Sequence, residues 1–393
     1  MPLERIYDLV VIGAGPAGSA AALLLARKNV KVLLVDKADF PRYKVCGSCL
    51  NHLSLQLLDS FGLSSVLPAL RAVELRKFHL RTASSRLELA LRNSVAVSRS
   101  RLDNAIVENG VNCGVEFLDN CSARVEFDIH NDHRVVQLKQ NEEHSQVKAR
   151  LLIVADGLGG RALEKFTGLT PHIEQSARVG AGAIVADAPA FYEQGIIYMS
   201  AQKHGYVGAV RLEDNALDLA GAFDLNYLRE AGSPARAATM ILNQSGMPVT
   251  DSFVNADWHG TPPLTRVRTE KAAERIFIIG DAASYAEPLT GEGISWALLS
   301  AAALQPFALK ALAQWSPDLV PHWESEFRTM VAQRQASSAW LAKLLRSPVL
   351  TDISLRTLKM PFLARLLLNY MDQPSRQLSE KFRSTLPLEE ALR

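Results

Sequence analysis

Tyr7-Asp8-Leu9-Val10-Val11-Ile12-Gly13-Ala14-Gly15-Pro16-Ala17-Gly18 decides the fold, because it joins a short apolar run to a glycine-spaced turn that opens a helix. Residues 7–12 are short and β-rich, and residues 19–28 are rich in Ala and Leu with strong helix propensity. Residues 30–35 form a second apolar run too short for a helix, so the stretch reads as a βαβ unit with two parallel neighbouring strands. In the Gly-x-Gly-x-x-Gly spacing each glycine has a task. Gly13 makes the tight turn, Gly15 lets a pyrophosphate approach the backbone, and Gly18 lets the helix pack on the strand. Pro16 and Ala17 complete the turn as cofactor-binding candidates, and the N-terminus of the helix that follows offers its positive end to phosphates. Asp36, followed by Lys37, ends the second strand and is placed to accept hydrogen bonds from an adenosine ribose. Both NAD and FAD satisfy this motif.

Two later runs end in the same way. Residues 151–155 precede Asp156-Gly157, and residues 276–279 precede Gly280-Asp281. Unbroken apolar runs fit strands buried on both faces, which puts both in the parallel sheet with their C-terminal ends at a ligand crevice. Between them the texture changes. Residues 179–186, 195–200, 205–212 and 216–223 mix small, β-branched and aromatic side chains, with Glu213-Asp214-Asn215 as a hairpin turn. This predicts an antiparallel sheet inserted into the first domain, to which residues 78–80 and 86–89 add strands. After Ile294 the pattern is helical, clearest over 295–312 and 323–346, and Pro306 should kink or split the first of these.

At 393 residues the chain exceeds one compact core, and its 48% hydrophobic and 21% charged residues are an ordinary globular balance. The formal charge of +2 provides no field to attract nucleic acid, so no nucleic-acid partner is expected. Residues 9–12 run into glycines too early for a secretory signal, and no run of 18 apolar residues occurs, so a cytoplasmic enzyme is expected. Cys46, Cys49, Cys113 and Cys121 are too few for a disulfide scaffold and fit a reducing compartment. Residues 361–370 are apolar enough to touch a membrane or a lipid-like substrate, although amphipathic core packing is the commoner cause. Nothing in the sequence fixes the oligomeric state.

Taken in order over about residues 5–310, these landmarks resemble a known FAD-binding superfamily. It contains the aromatic hydroxylases of the p-hydroxybenzoate hydroxylase type, the geranylgeranyl reductases and the flavin-dependent halogenases. Arg99-Ser100-Arg101-Leu102-Asp103 is similar to the family's Arg-x-x-Leu-Asp segment, which implies that Arg99 contacts FAD. Asp156-Gly157 is similar to its Asp-Gly motif, which implies support of the pyrophosphate. The most specific match is Gly280-Asp281-Ala282-Ala283 followed by Pro288-Leu289-Thr290-Gly291-Glu292-Gly293-Ile294. It implies that Asp281 hydrogen-bonds the ribityl chain and that residues 291–294 lie against the flavin pyrimidine edge. A glycine-rich turn opening a helix presents N–H groups that favour the negative charge of reduced flavin there. Pro41-Arg42-Tyr43-Lys44-Val45-Cys46-Gly47 resembles the reductases' Cys-Gly segment, which passes the flavin ring.

The fold expected is α/β, or α+β overall. A Rossmann-like FAD-binding domain with a parallel sheet spans residues 1–75, 98–177 and 259–310. An inserted antiparallel β-sheet substrate domain takes 76–97 and 178–258, and C-terminal helices take 311–393. The cofactor expected is one non-covalent FAD, reduced by NAD(P)H or by a partner flavin reductase. Gly180-Ala181-Gly182 lacks the turn and helix of a second dinucleotide fingerprint. Gly205-Tyr206-Val207-Gly208-Ala209-Val210 lacks the reductases' later aromatic and proline residues, and the halogenases' tryptophan motif. The resulting expectation is a flavin monooxygenase that hydroxylates an aromatic or lipophilic small molecule through a C4a-hydroperoxide. Cys46 and Tyr206 would line its active site, with Tyr198 a further candidate. The alternatives are a geranylgeranyl-reductase-like enzyme acting on C=C bonds, and a redox sensor using Cys46 and Cys49. The bland reading has Cys46 packed near the flavin and Cys49 opening the next helix. Zinc needs two ligands beyond a C-x-x-C, and Cys113 and Cys121 are not spaced as a second pair, so no metal is expected. His79, His204 and His259 fall near the inserted sheet in no recognisable catalytic arrangement.

Overall fold

Unbroken apolar runs can be buried on both faces, and here they lie side by side in one sheet. The computed structural model describes residues 5–130, 132–287, 291–344 and 346–358. Strand Arg5–Ile12 pairs in parallel with Val32–Val35 on one side and with Glu143–Val154 on the other. Glu116–Leu118 extends the sheet beyond Val32–Val35, and Ile276–Ile278 extends it beyond Glu143–Val154, both in parallel. The register puts Ile12, Val154 and Ile278 level, so three chain segments leave the sheet at one edge. Backbone bonds tie that edge together: Ala155 N–H donates to Ile12 O (2.7 Å), and Ile279 N–H donates to Val154 O (3.0 Å). The fold class is the α/β arrangement expected from the sequence.

Helix Pro16–Ala26 is buried at every residue, which explains why it is apolar all round and not amphipathic. It packs against helix Gly293–Ala313, and Gln305 Nε2 donates to Leu24 O across the contact (3.1 Å). The second helix is long and apolar enough to cross a membrane, yet most of its length is buried inside the protein. Pro306 was expected to kink or split it, and the helix is not split. Its ring is on the exposed side, where water can satisfy the carbonyl that proline leaves unbonded. The predicted helix over 323–346 is instead Leu319–Phe327, a π-turn at Arg328–Ala332, and Gln333–Leu344.

Two hairpins escaped the sequence reading. Cys121–His130, His133–Gln140 and Glu143–Val154 form an antiparallel meander off the parallel sheet. The first half of Glu143–Val154 is polar and exposed, and only its buried second half gave an apolar run. Its turn nevertheless carries a signal, since Asn141 and Glu142 both have positive φ (47° and 66°).

The inserted sheet has seven strands in the order His259–Pro263, Val179–Val185, Leu217–Phe223, Gly205–Arg211, Ile196–Gln202, Lys77–Arg81, Arg86–Ala90. All neighbours are antiparallel except Ile196–Gln202 with Lys77–Arg81. Helix Pro234–Gln244 covers one face, packing Ala237, Ala238, Ile241 and Leu242 on Ala181, Val207, Leu219 and Phe223. The other face turns toward the parallel-sheet domain.

Trp323 is fully buried among Phe277, Phe307 and Phe327, with ring centroids 5.7–6.1 Å apart. Trp323→Ala should destabilise the protein by about 3–5 kcal/mol in denaturant titration. Trp340→Ala, at a side chain 66% exposed, should stay within about 0.5 kcal/mol of the parent.

Candidate functional site

At the common sheet edge, backbone meets backbone with no room for side chains. A Cβ on Gly13 would lie 2.3 Å from Ala155 O, and one on Gly18 would lie 1.8 Å from Gly13 O. Gly13 also has φ 103°, which only glycine adopts without strain. Asp36 locks the turn, because Oδ2 accepts from Ala14 N–H (2.7 Å) and Oδ1 from Ala38 N–H (2.9 Å). The helix beyond starts at Pro16 with no acidic residue in its first turn, leaving the N-terminal field open to an anion. Gly280 comes up against this turn, since its own Cβ would sit 2.8 Å from Ala17 Cβ, and Ser300 Oγ accepts from its N–H. Residues 13–18 and 280–283 are therefore one construction, although they lie far apart in the chain.

Residues 42–49 bridge this construction to the turn at 291–294. The Arg42 guanidinium lies 3.6 Å from the missing Cβ of Gly15, Lys44 Nζ lies 3.2 Å from that of Gly157, and Cys49 Cβ lies 3.9 Å from that of Gly291. Arg42 contacts Asp103 (3.2 Å) and Asp36 (3.9 Å), while its Nη1 is buried without a partner. An orphaned cationic N–H beside a phosphate-binding turn is what a diphosphate would satisfy. Lys44 and Asp281 face each other. Burial pulls the lysine down and pushes the aspartate up, and their mutual attraction opposes both shifts. Arg99 is buried and forms a bidentate pair with Asp103 (2.9 and 2.7 Å), which fixes its guanidinium near Cys46. These donors and the open turn fit the pyrophosphate and polyol of a flavin dinucleotide.

The remaining expected residues are dispersed around this line. Asp156 turns onto its own loop, where Oδ2 accepts from Ala162 N–H (3.0 Å) and the carboxyl fills the space a Cβ on Gly160 would need. Lys37 reaches over that loop to Gly159 O (3.4 Å). Gly47 is exposed, and Gly293 and Ile294 begin the long apolar helix beside Tyr285. Pro288 lies outside the described residues, as does the stretch 361–370. Cys49 does not open a helix. It sits in the short strand Cys49–Leu50, and the helix starts at His52 behind Asn51, whose side chain accepts from Ser54 N–H.

The inserted sheet presents small residues to the line. Gly182 pairs with Ala220 and Ala220 with Gly208, so the row is small across three strands, and Met199 of the fourth lies over Gly208. Tyr43 Oη lies 3.0 Å from the missing Cβ of Gly182. Tyr206 shares this face with Leu80, Met199, Leu264 and Tyr285. Tyr198 does not. It packs with Phe191 and Tyr192 on the opposite face, where its hydroxyl donates to Phe191 O (2.8 Å) and accepts from Glu193 N–H (3.1 Å). His79 stacks edge-on against Tyr198, His204 lies on Tyr227 beside Asp224, and His259 pairs with Asp257.

Asp218 was missed by the sequence reading. It is 2% exposed, one position from the small-residue row, and its Oδ1 has no hydrogen-bond partner. Burial pushes its carboxyl up to about 7, against the opposing pull of the Ser48 hydroxyl and Arg99. One signal was available: Leu217-Asp218-Leu219-Ala220-Gly221-Ala222-Phe223 holds a single acid in an otherwise apolar strand.

The profile of the FAD binding domain family matches residues 7–335, and the chain belongs to that family. It is 28% identical over 391 residues to a menaquinone reductase of Mycobacterium tuberculosis, covering 88% of this chain and 86% of the relative. It is 25% identical over 329 residues to a tryptophan 2-halogenase of Chondromyces crocatus, covering 77% of this chain and 60% of that protein's length. Among solved structures, a triple mutant of a flavin-dependent brominase superposes with TM-score 0.76 at 18% identity, over 96% of this chain and 98% of the other. At that identity the superposition shows the shared fold.

Gly18→Ala drives a Cβ into the Gly13 carbonyl and should weaken FAD binding at least about tenfold, ~1.4 kcal/mol, in a flavin-fluorescence titration. Asp218 provides a pH test. The folded protein holds the Asp218 proton more tightly than the unfolded chain, so this group favours folding at low pH. That advantage falls away as pH rises from 3.8 to about 7. Asp218→Asn should therefore gain stability relative to the parent across that window and show no further change above it, in denaturation curves taken at several pH values.

Proposed function

We propose that the chain is an FAD-dependent oxidoreductase that reduces a carbon–carbon double bond in a lipophilic, isoprenoid-type molecule. The observation that carries this reading is the near-complete mutual coverage with menaquinone reductase. The likeness of Cys46-Gly47 to the reductases' segment supports it, and Cys49, three residues on from Cys46, lies beside Gly291. In this reading residues 13–18, Arg42 and Lys44 hold the pyrophosphate, Asp36 the adenosine ribose and Asp281 the ribityl chain. The amides opening helix Gly293–Ala313 address the pyrimidine edge. Bound FAD supplies the hydride chemistry, with NAD(P)H or a partner flavin reductase as the source of electrons. The protein's own contribution is to offer an apolar chain the face that carries Tyr206, Tyr285 and Met199, which also keeps water away.

A second reading is hydroxylation of an aromatic or lipophilic small molecule. It is favoured by strand Gly205–Arg211, which lacks the later aromatic and proline residues of the reductases. The two readings separate in one experiment on the purified, FAD-loaded protein. Chemically reduced enzyme is mixed with a prenylated naphthoquinone, once without oxygen and once in air. The proposed function predicts, in both mixtures, a product that stays heavier by two hydrogens after its quinone ring has been reoxidised in air. A product heavier by one oxygen, formed only in air, would replace it with the second reading.

A further inference from the structure

The segment that bridges the two turns carries two thiols that the proposed reaction does not use. Cys46 and Cys49 are both free and half-buried, and they are separated by Gly47 and Ser48. Ser48 has φ 51°, in the left-handed region, and this tightens the chain between the two cysteines. Its carbonyl accepts from Val97 N–H (3.0 Å), which holds the bend against strand Val95–Ala96. Each sulfur has its own electrostatic partner. The Arg99 guanidinium stands within hydrogen-bonding reach of Cys46, and it is itself buried and fixed by Asp103. Cys49 donates its S–H to Gly47 O (2.9 Å), and burial pushes its thiol up, with Cys46 and Asp218 adding to that shift.

We propose that Cys46 and Cys49 form a reversible redox pair beside the cofactor site, in which Cys46 is the attacking thiol and Asp218 takes the proton of Cys49 as the ring closes. A cysteine beside a fixed guanidinium is the half of a C-x-x-C that attacks. A half-buried, protonated thiol is the half that resolves, and it needs a base. Asp218 is the buried carboxylate within electrostatic range of Cys49, and its Oδ1 is unclaimed. The groups facing Asp218 are Ser48 and Cys49 from the bridging segment, Tyr43 from the same segment, Arg99 from helix Arg99–Asn112, and Glu213 from the hairpin turn. Ser48 and Arg99 favour its charge, and Glu213 disfavours it.

The oxidant is a small-molecule disulfide, RSSR. The Cys46 thiolate attacks one of its sulfurs, the S–S bond of RSSR breaks, RS− leaves, and a mixed disulfide remains on Cys46. Cys49 then attacks Cys46 sulfur, its proton passes to Asp218, and the second thiolate leaves. Two electrons pass from the cysteine pair to RSSR, one S–S bond is exchanged for another, and the two RS− take up two protons, one lost by Cys46 to solvent as it ionised and one released by Asp218. Because Cys49 Cβ lies 3.9 Å from the Gly291 position, closure alters the wall of the proposed flavin site directly.

The test treats the full-length, FAD-loaded protein with oxidised and reduced glutathione in varied ratio, followed by acid quench, alkylation and peptide mass mapping. The expected result is joint loss of two alkylatable thiols, confined to the peptide bearing residues 46 and 49 and reversed by reduced glutathione. Cys49→Ser should accumulate one glutathione on Cys46, whereas Cys46→Ser should leave Cys49 unmodified. Asp218→Asn should slow ring closure at least about tenfold while leaving the first attack unchanged, and should remove the inflection of closure rate near pH 7. Thiols at 46 and 49 that remain alkylatable at every ratio would overturn the pair, even if Asp218→Asn failed to fold. Closure that is equally fast in Asp218→Asn would overturn the role of the carboxylate. These readouts are thiol masses and rates, so they stand whichever reaction the flavin performs.

Discussion

The structure depends on one steric constraint, the close approach of Gly13, Gly18 and Ala155 where three parallel strands end. With 1.8 Å between the Gly18 Cβ position and Gly13 O, and 2.3 Å between the Gly13 Cβ position and Ala155 O, any side chain would force strand and helix apart. That contact brings the N-terminus of helix Pro16–Ala26 to the sheet edge with its amides free. It also lets Gly280 dock on Ala17, which carries the long helix Gly293–Ala313 back across the first helix. The phosphate end of the site and the turn at its other end are thus set by the same packing.

The bridging segment translates this packing into electrostatics. Arg42, Lys44 and Arg99 bring three cations to a site that also holds the acids Asp36, Asp103 and Asp281. Asp36 accepts from backbone amides and Asp103 from Arg99 and Arg42, while the Arg42 Nη1 proton has no acceptor. A buried guanidinium N–H without a partner is destabilising, and a diphosphate oxygen relieves it. Family membership and the local chemistry therefore point to the same cofactor by independent routes.

Much of this was legible in the sequence, for physical reasons that also explain what was not. The parallel strands announced themselves because burial on both faces demands unbroken apolar runs such as residues 9–12 and 151–154. The hairpins over 121–150 did not, because half of their length faces solvent and alternates weakly. Tyr198 was read as pocket-lining because a strand's two faces cannot be told apart without the register. The pairing Tyr198↔Ala209 puts it on the helix side and leaves Met199, opposite Gly208, on the other. Arg42 and Lys44 fell inside the Cys-Gly segment without a role of their own there, and Asp218 belonged to no motif. Their significance comes from what stands across from them, Gly15, Gly157 and Cys49, and that is a property of the fold.

The central claim is that residues 13–18, 42–49 and 291–294 line one cofactor. Hydrogen–deuterium exchange of the apoprotein, followed by mass spectrometry during stepwise addition of FAD, tests it directly. The account predicts that amides in all three segments become protected together, with one common midpoint at one FAD per chain. Protection of residues 13–18 without 291–294, or two separate midpoints, would contradict it.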